Sequence, residues 1–194
     1  AYKIKYEVFN LGVSSYSPSI YYSKVLNHSN DFKKLKEVYV FIDVSDIQDE
    51  AEFYSLSSNG VVYDKGRNSI DYNIKRRLFD LFPVSYSILD RIKIKLSNSN
   101  RKKNPVKYTY NIRSAWTWMD GFTYGGLGVQ GGIRQATESM EKLATFLKSK
   151  DVELSVIVYP WPDQLKHGVV NSKQVQIWKN FCKKRCKNFT DTFP

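Results

Sequence analysis

The sequence predicts an α/β protein built on a parallel sheet, and three observations carry that expectation. Two near-continuous runs of β-branched, aliphatic and aromatic residues, Val38–Ile42 and Val152–Tyr159, have the composition of buried parallel strands. Helical periodicity follows each in turn, most clearly over Ile133–Lys148 and Lys173–Lys187. The resulting order, β, α, β, insertion, α, β, α, implies a parallel sheet with helices on both sides.

The elements follow in chain order. Ile4–Phe9 reads as a first strand, and Asn10–Pro18 as a turn-rich loop containing Gly12. Pro18 then opens a helix over Ser19–Leu26, because its missing N–H costs nothing in a first turn. Asn27–Asp31 breaks that helix. Val38–Ile42 is the second strand, and it runs directly into Asp43-Val-Ser-Asp46. Glu50–Leu56 reads as a short helix, Ser57–Gly60 as a turn and Val61–Tyr63 as a short extended piece.

Residues 64–115 read as a basic insertion within a single domain spanning 1–194. Inside it, Ile74–Phe82 fits a basic amphipathic helix stopped by Pro83. Ser85–Leu96 fits a second, with Ile88, Leu89, Ile92 and Leu96 on one stripe. Trp116–Gly132 is aromatic and then glycine-rich. It lacks the Gly-Lys-Ser/Thr of a phosphate loop and the strand-turn-helix setting of a dinucleotide fingerprint. It reads as a binding-loop segment in which Trp116 and Trp118 either stack on a sugar or simply pack. On the helix after it, Ile133, Ala136, Met140, Leu143, Ala144 and Leu147 form one face. Pro160-Trp-Pro-Asp163 stops the following strand sharply. On the last helix, Val175, Trp178, Phe181 and Cys182 form the apolar face.

The net charge is +11 and uneven. Lys65–Lys107 holds 12 Lys/Arg against 3 Asp, and Gln164–Thr190 holds 7 Lys/Arg and no acid. Such surfaces attract polyanions such as an acidic polysaccharide, an anionic lipid or a nucleic acid. The absence of any nucleic-acid motif disfavours the last. No stretch reaches the apolar length of a membrane span. Cys182 and Cys186, four apart, are either a local disulfide, which would fit the oxidising cell envelope or periplasm, or two free thiols. No metal-ligand spacing occurs, and no cofactor is implied.

Candidate chemistry concentrates at the end of the second strand. In open parallel sheets ligands bind outside the carboxyl ends of the strands. Asp43, Ser45 and Asp46 therefore lead, while Asp46, Asp49 and Glu50 together read as a solvated strand end and helix start. Asp163 with His167 is a candidate acid–imidazole pair for a hydroxyl nucleophile. No Gly-x-Ser-x-Gly elbow is present.

Three segments together carry a family resemblance: Phe9-Asn-Leu-Gly-Val-Ser-Ser-Tyr-Ser-Pro18, Ile42-Asp-Val-Ser-Asp-Ile47 and Val156-Ile-Val-Tyr-Pro-Trp-Pro162. They resemble the SGNH/GDSL hydrolases. The resemblance implies a flavodoxin-like, three-layer α/β/α fold and Ser–His acyl-ester chemistry without a cofactor. It places Gly12 at the block whose backbone N–H helps hold the oxyanion. It places Asp43-Val-Ser-Asp46 at the Gly-x-Asn-Asp block, with Ser45 where the family has Asn and Asp46 beside it. Ser14, Ser15, Trp116 and Trp118 would then contact substrate. The family's Gly-Asp-Ser and Asp-x-x-His blocks do not occur in this sequence. The expectation is thus either an internal piece of a longer polypeptide or a relative without its catalytic blocks. The function it implies is an esterase or O-acyltransferase acting on an acylated small molecule or cell-envelope glycan. The alternative is a non-catalytic module of the same scaffold that holds an anionic glycan.

Overall fold

The computed structural model describes residues 7–32, 34–65, 81 and 112–194. Helix α1 covers Pro18–His28, with Pro18 in the first turn, and strand β1 covers Glu37–Ile42. A short helix α2, Asp46–Gln48, passes into a π-helical turn over Asp49–Phe53. Strands β2 (Tyr54–Leu56) and β3 (Val62–Asp64) form a small antiparallel hairpin. A 3₁₀ helix over Ile112–Thr117 precedes the long helix α3, Gly128–Ser149. Then come β4 (Glu153–Val158), the one-turn helix α4 (Pro162–Lys166), α5 (Lys173–Arg185) and β5 (Asn188–Asp191).

The main sheet is parallel, in the order β1-β4-β5. Its register sets Val38 against Leu154, Val40 against Val156 and Ile42 against Val158. Those side chains point to one face, because alternate residues of a strand share a face. Val40, Ile42, Leu154, Val156 and Val158 are buried there, in one core with Met140, Leu143 and Leu147 of α3 and Val175, Trp178 and Phe181 of α5. With this strand order, right-handed crossovers carry α3 and α5 to the same side of the sheet. On the opposite face Tyr39 and Phe41 of β1 are more than half exposed. α3 and α5 therefore lie in one layer on one side of the sheet, where the sequence order implied helices on both sides.

Several expectations shift. The expected helix over Glu50–Leu56 begins earlier, at Asp46, and gives way to β2. Residues 7–9 of the expected first strand are unpaired, and residues 4–6 lie outside the described residues. The helices expected within 74–96 also lie outside them, save Leu81. Strand β5 was not expected; four residues with one apolar side chain, Phe189, carry too little pattern to reveal it. Cys182 and Cys186 are joined in a disulfide across the C-terminal turn of α5.

The glycine-rich segment is part loop and part packing device. Residues 118–127 are irregular and mostly exposed, whereas 128–132 lie within the first turns of α3. A Cβ on Gly132 would sit 2.3 Å from the Ile47 carbonyl oxygen, and one on Gly126 2.5 Å from that of Ala51. Only glycine lets α3 and the turn before it approach the backbone after β1 so closely.

Candidate functional site

The carboxyl edge of the sheet is built by the turn that leaves β1. Asp43 is its first residue. Its Oδ1 accepts from both the backbone N–H and the hydroxyl of Ser45, each at 2.6 Å. Its Oδ2 accepts from the Tyr159 hydroxyl at 3.1 Å, which ties the ends of β1 and β4 together. Ser45 is buried and spends its hydroxyl proton on Asp43.

Behind this rim lie three carboxyl groups that the sequence reading placed in solvent. Asp46, Asp49 and Glu50 are only 2%, 3% and 0% exposed. Their spacing explains the joint burial, since positions three and four apart share a helical face. Ile47 and Ala51, also buried, flank the same face. The π-helical turn adds a consequence, because its irregular ladder frees carbonyls for outside donors. Lys65 Nζ donates to the Glu50 carbonyl at 2.7 Å and the Leu127 N–H to that of Ala51 at 3.2 Å.

Each buried carboxyl has a different environment. Glu50 is fully satisfied: Oε1 accepts from Ser17 Oγ at 2.8 Å and from the Ser19 N–H at 2.6 Å. Its Oε2 accepts from Ser19 Oγ at 2.5 Å and Gln135 Nε2 at 2.7 Å. It thus serves as the N-terminal acceptor of α1, supplied from another part of the chain. Asp46 accepts from the Tyr21 hydroxyl at 2.9 Å. Burial pushes its pKa well above the usual carboxylate range, and the charge of Asp43 adds to that push, while the Tyr21 bond opposes it. Burial also raises Asp49, to about 6, against the pull of Arg113. Its Oδ1 pairs with Arg113 Nη2 at 2.5 Å, and its Oδ2 is buried without a donor among the described residues. A carboxyl poised near 6 can take up or release a proton close to neutrality.

Arg113 is the hub on the other side. Its Nε donates to Gln48 Oε1 at 2.8 Å and its Nη2 to the Ser45 carbonyl at 3.3 Å, and its guanidinium lies 5.9 Å from the Trp161 ring. Tyr124 donates to the Arg113 carbonyl, and burial raises that phenol's pKa far above its usual value. Tyr21 and Tyr159 are raised as well, chiefly by burial, so all three hydroxyls remain donors at neutral pH. A chain of buried amides locks the frame. The Trp161 N–H donates to Gln164 Oε1 at 2.9 Å, Gln164 Nε2 to Gln174 Oε1 at 3.1 Å, and Gln174 Nε2 to the Ile42 carbonyl at 3.3 Å.

The structure separates the other candidates. Trp116 is only 3% exposed and donates its indole N–H to the Val44 carbonyl at 3.3 Å. It is core beneath the strand end and offers no face to a sugar. Trp118 is half-buried and stacked on the His167 ring, centroids 4.3 Å apart. Asp163 and His167 lie on the same short helix and its cap; the Asp163 carboxylate is 3.7 Å from Lys166 Nζ. Gly12 is exposed, and its N–H donates to Asn10 Oδ1 at 2.9 Å. Ser14 and Ser15 are exposed in the same loop, Ser15 with a left-handed φ of 62°. The serines that reach the buried centre are Ser17 and Ser19. Ser19, Tyr21, Asp49, Glu50 and Arg113 were all missed as members of the site; the three-and-four spacing of Asp46, Asp49 and Glu50 was the available signal.

No family model, curated protein or solved structure matches this chain. Among the described residues no group of three His, Cys, Asp or Glu side chains is placed to hold a metal ion. Among them, too, no helix is long and apolar enough to cross a membrane.

Proposed function

We propose that the strand-end turn is the oxyanion side of an SGNH-like acyl-ester centre, in an esterase or O-acyltransferase of flavodoxin-like topology. Its substrate would be an acylated small molecule or a cell-envelope glycan. One observation carries the reading: the carboxyl ends of parallel β1 and β4 converge on Asp43, Ser45 and Asp46, the edge at which open α/β sheets hold ligands. In this reading Ser45 and the Gly12 N–H face the developing negative charge. Asp43 holds the Ser45 side chain, and Asp46 and Asp49 form the polar floor. The chain contains no Gly-Asp-Ser block, so this reading assigns the oxyanion side and leaves the nucleophile to be located by labelling.

The test uses the intact protein with nitrophenyl acetate and a serine-trapping fluorophosphonate. An asparagine amide reaches one bond further than a serine hydroxyl, and one oxyanion donor is worth about 100-fold or more in rate. Ser45→Asn is therefore expected to raise kcat by about 10-fold or more. An unchanged or lower kcat removes Ser45 from the oxyanion site. Absence of both turnover and labelling removes the catalytic reading.

A second reading is a non-catalytic module of the same scaffold that binds an anionic glycan. It is supported by the internal use of both donors, Gly12 N–H by Asn10 and Ser45 Oγ by Asp43. The Cys182–Cys186 bridge suits an oxidising envelope compartment in either case.

A further inference from the structure

The apolar face of α5, Val175, Trp178, Phe181 and Cys182, is buried against the sheet, so its other face is turned outward. At 100° per residue, Lys173, Gln176, Lys179, Asn180, Lys183 and Lys184 fall within one arc, and all six are exposed. With a rise of about 1.5 Å per residue the helix is about 20 Å long. Two hydrogen bonds fix its ends. The Gln174 amide binds the Ile42 carbonyl at the carboxyl edge, 3.3 Å away. The Lys187 N–H binds the Leu154 carbonyl near the amino ends, 2.7 Å away. The arc therefore runs along the whole flank of the sheet and finishes beside the strand-end site.

Charge pairing singles out its C-terminal half. Across Gln164–Thr190 there are 7 cations and no acid. Four of those cations find acids elsewhere: Lys166 with Asp163, Lys173 with Asp120, Arg185 with Glu141 and Lys187 with Glu37. Lys179, Lys183 and Lys184 have no acidic partner among the described residues. A repeated positive charge left unmatched along one line is complementary to a polymer carrying spaced negative charges.

We infer that the outer face of α5 is a track for a carboxylate-bearing polysaccharide, which it leads to the strand-end site. The inference rests on the glycan reading above, in its catalytic or its binding form. The chemistry of the track favours polysaccharide over nucleic acid. Gln176 and Asn180 add exposed amides that can bond hydroxyls beside their internal bonds, Gln176 Nε2 donating to the Asn171 carbonyl at 3.4 Å and Asn180 Oδ1 accepting from Lys183 Nζ at 3.0 Å. The outward arc carries no aromatic ring on which a base could stack.

The test is calorimetric titration of the intact protein with polygalacturonate, with neutral dextran and a mixed-sequence oligonucleotide as comparators. Lys179→Gln/Lys183→Gln/Lys184→Gln is set against Lys34→Gln/Lys142→Gln/Lys148→Gln, which removes the same charge elsewhere. The α5 triple is expected to weaken polygalacturonate binding by about 10-fold or more at low salt, and to flatten its salt dependence. The control triple is expected to stay within about 2-fold, because distant exposed charges are screened. Equal losses in both triples overturn the inference, as binding would follow net charge alone. So does absence of polygalacturonate binding, or dextran binding equally well. Tighter binding of the oligonucleotide through the same lysines overturns it in favour of nucleic acid. The readout involves no ester, so the two proposals fail separately. Lost turnover with intact track binding leaves this inference standing, and lost track binding with intact turnover removes it alone.

Discussion

The turn from Asp43 to Glu50 and the outer face of α5 are both dense in charge, and the fold treats them in opposite ways. In the turn, three carboxyls are almost wholly buried. Glu50 is surrounded by four donors, Asp46 takes a tyrosine hydroxyl, and Asp49 takes a guanidinium. On α5, three lysines stand in solvent with no acidic partner among the described residues. The difference follows from solvent. A buried charge must be matched or neutralised, whereas water does that work at the surface. Charge inside therefore reports on stability, and unmatched charge outside is free to report on partners. Four substitutions or conditions probe that division.

Removing the Glu50 carboxylate is the strongest way to break it. Glu50→Ala strands the Ser17 and Ser19 hydroxyls, the Ser19 N–H and the Gln135 amide in a space that water does not reach. Donors left unsatisfied in the interior, together with the lost charge-assisted bonds, cost about 4 kcal/mol. Urea unfolding followed by circular dichroism measures it. A loss below about 1 kcal/mol would mean that water replaces the carboxylate and that the α1–α3 joint is not held by it.

Asp49 sharpens the comparison through pH. Its folded pKa, about 6, lies above the unfolded value of about 3.9, so the folded chain binds this proton more tightly. The stabilising contribution is complete below about pH 4 and is lost as the pH rises through 6. It is worth on the order of 3 kcal/mol. Asp46 shifts in the same direction and adds to the slope. Asp49→Asn cannot titrate, so unfolding free energies at pH 4, 5, 6 and 7 are expected to fall less steeply in this variant. An unchanged slope would assign the effect to Asp46.

Gly132→Ala tests the close approach that buries the turn. The new Cβ would meet a backbone oxygen at 2.3 Å, and backbone cannot swing aside as a side chain can. At an open helical position the same change would gain up to about 1 kcal/mol. Here overpacking is expected to win, with a net loss of about 2 kcal/mol in thermal or urea unfolding. A gain would mean that α3 can slide away from Ile47.

This glycine also marks where the sequence ceases to be legible. Strands β1 and β4 and helices α3 and α5 could be read directly, because period and composition are local properties of the chain. The end of the Val38–Ile42 run likewise put Asp43, Ser45 and Asp46 just past the carboxyl end of β1, where they lie. What stayed hidden depends on partners far along the chain. Glu50 looks solvent-facing until Ser17, Ser19 and Gln135 arrive from 33, 31 and 85 residues away. Asp49 is buried against Arg113, 64 residues further on. Whether Trp116 stacks on a ligand or packs is open until its N–H is seen to bind the Val44 carbonyl across 72 residues. The glycine run resembles a loop because a close helix contact and a flexible turn call for the same residue.

The smallest effect is expected where the comparison predicts indifference. Lys179 lies one helical turn before Lys183, and like charges at that spacing repel by a few tenths of a kcal/mol. Lys179 also lies far enough from the end of α5 for the helix dipole to help it little, unlike Lys183 and Lys184 in the last turn. Lys179→Gln is therefore expected to leave stability unchanged or raise it by about 0.3 kcal/mol at low salt. Any gain should vanish at about 0.5 M NaCl, where screening removes the repulsion. Thermal melts at two salt concentrations decide it. A loss above about 1 kcal/mol would show that Lys179 is held by an acid and is not available to a polymer. A neutral melt together with weakened polygalacturonate binding would separate the lysine's two roles. The residue then contributes nothing to the fold it stands on, and its retained charge is explained by what it binds.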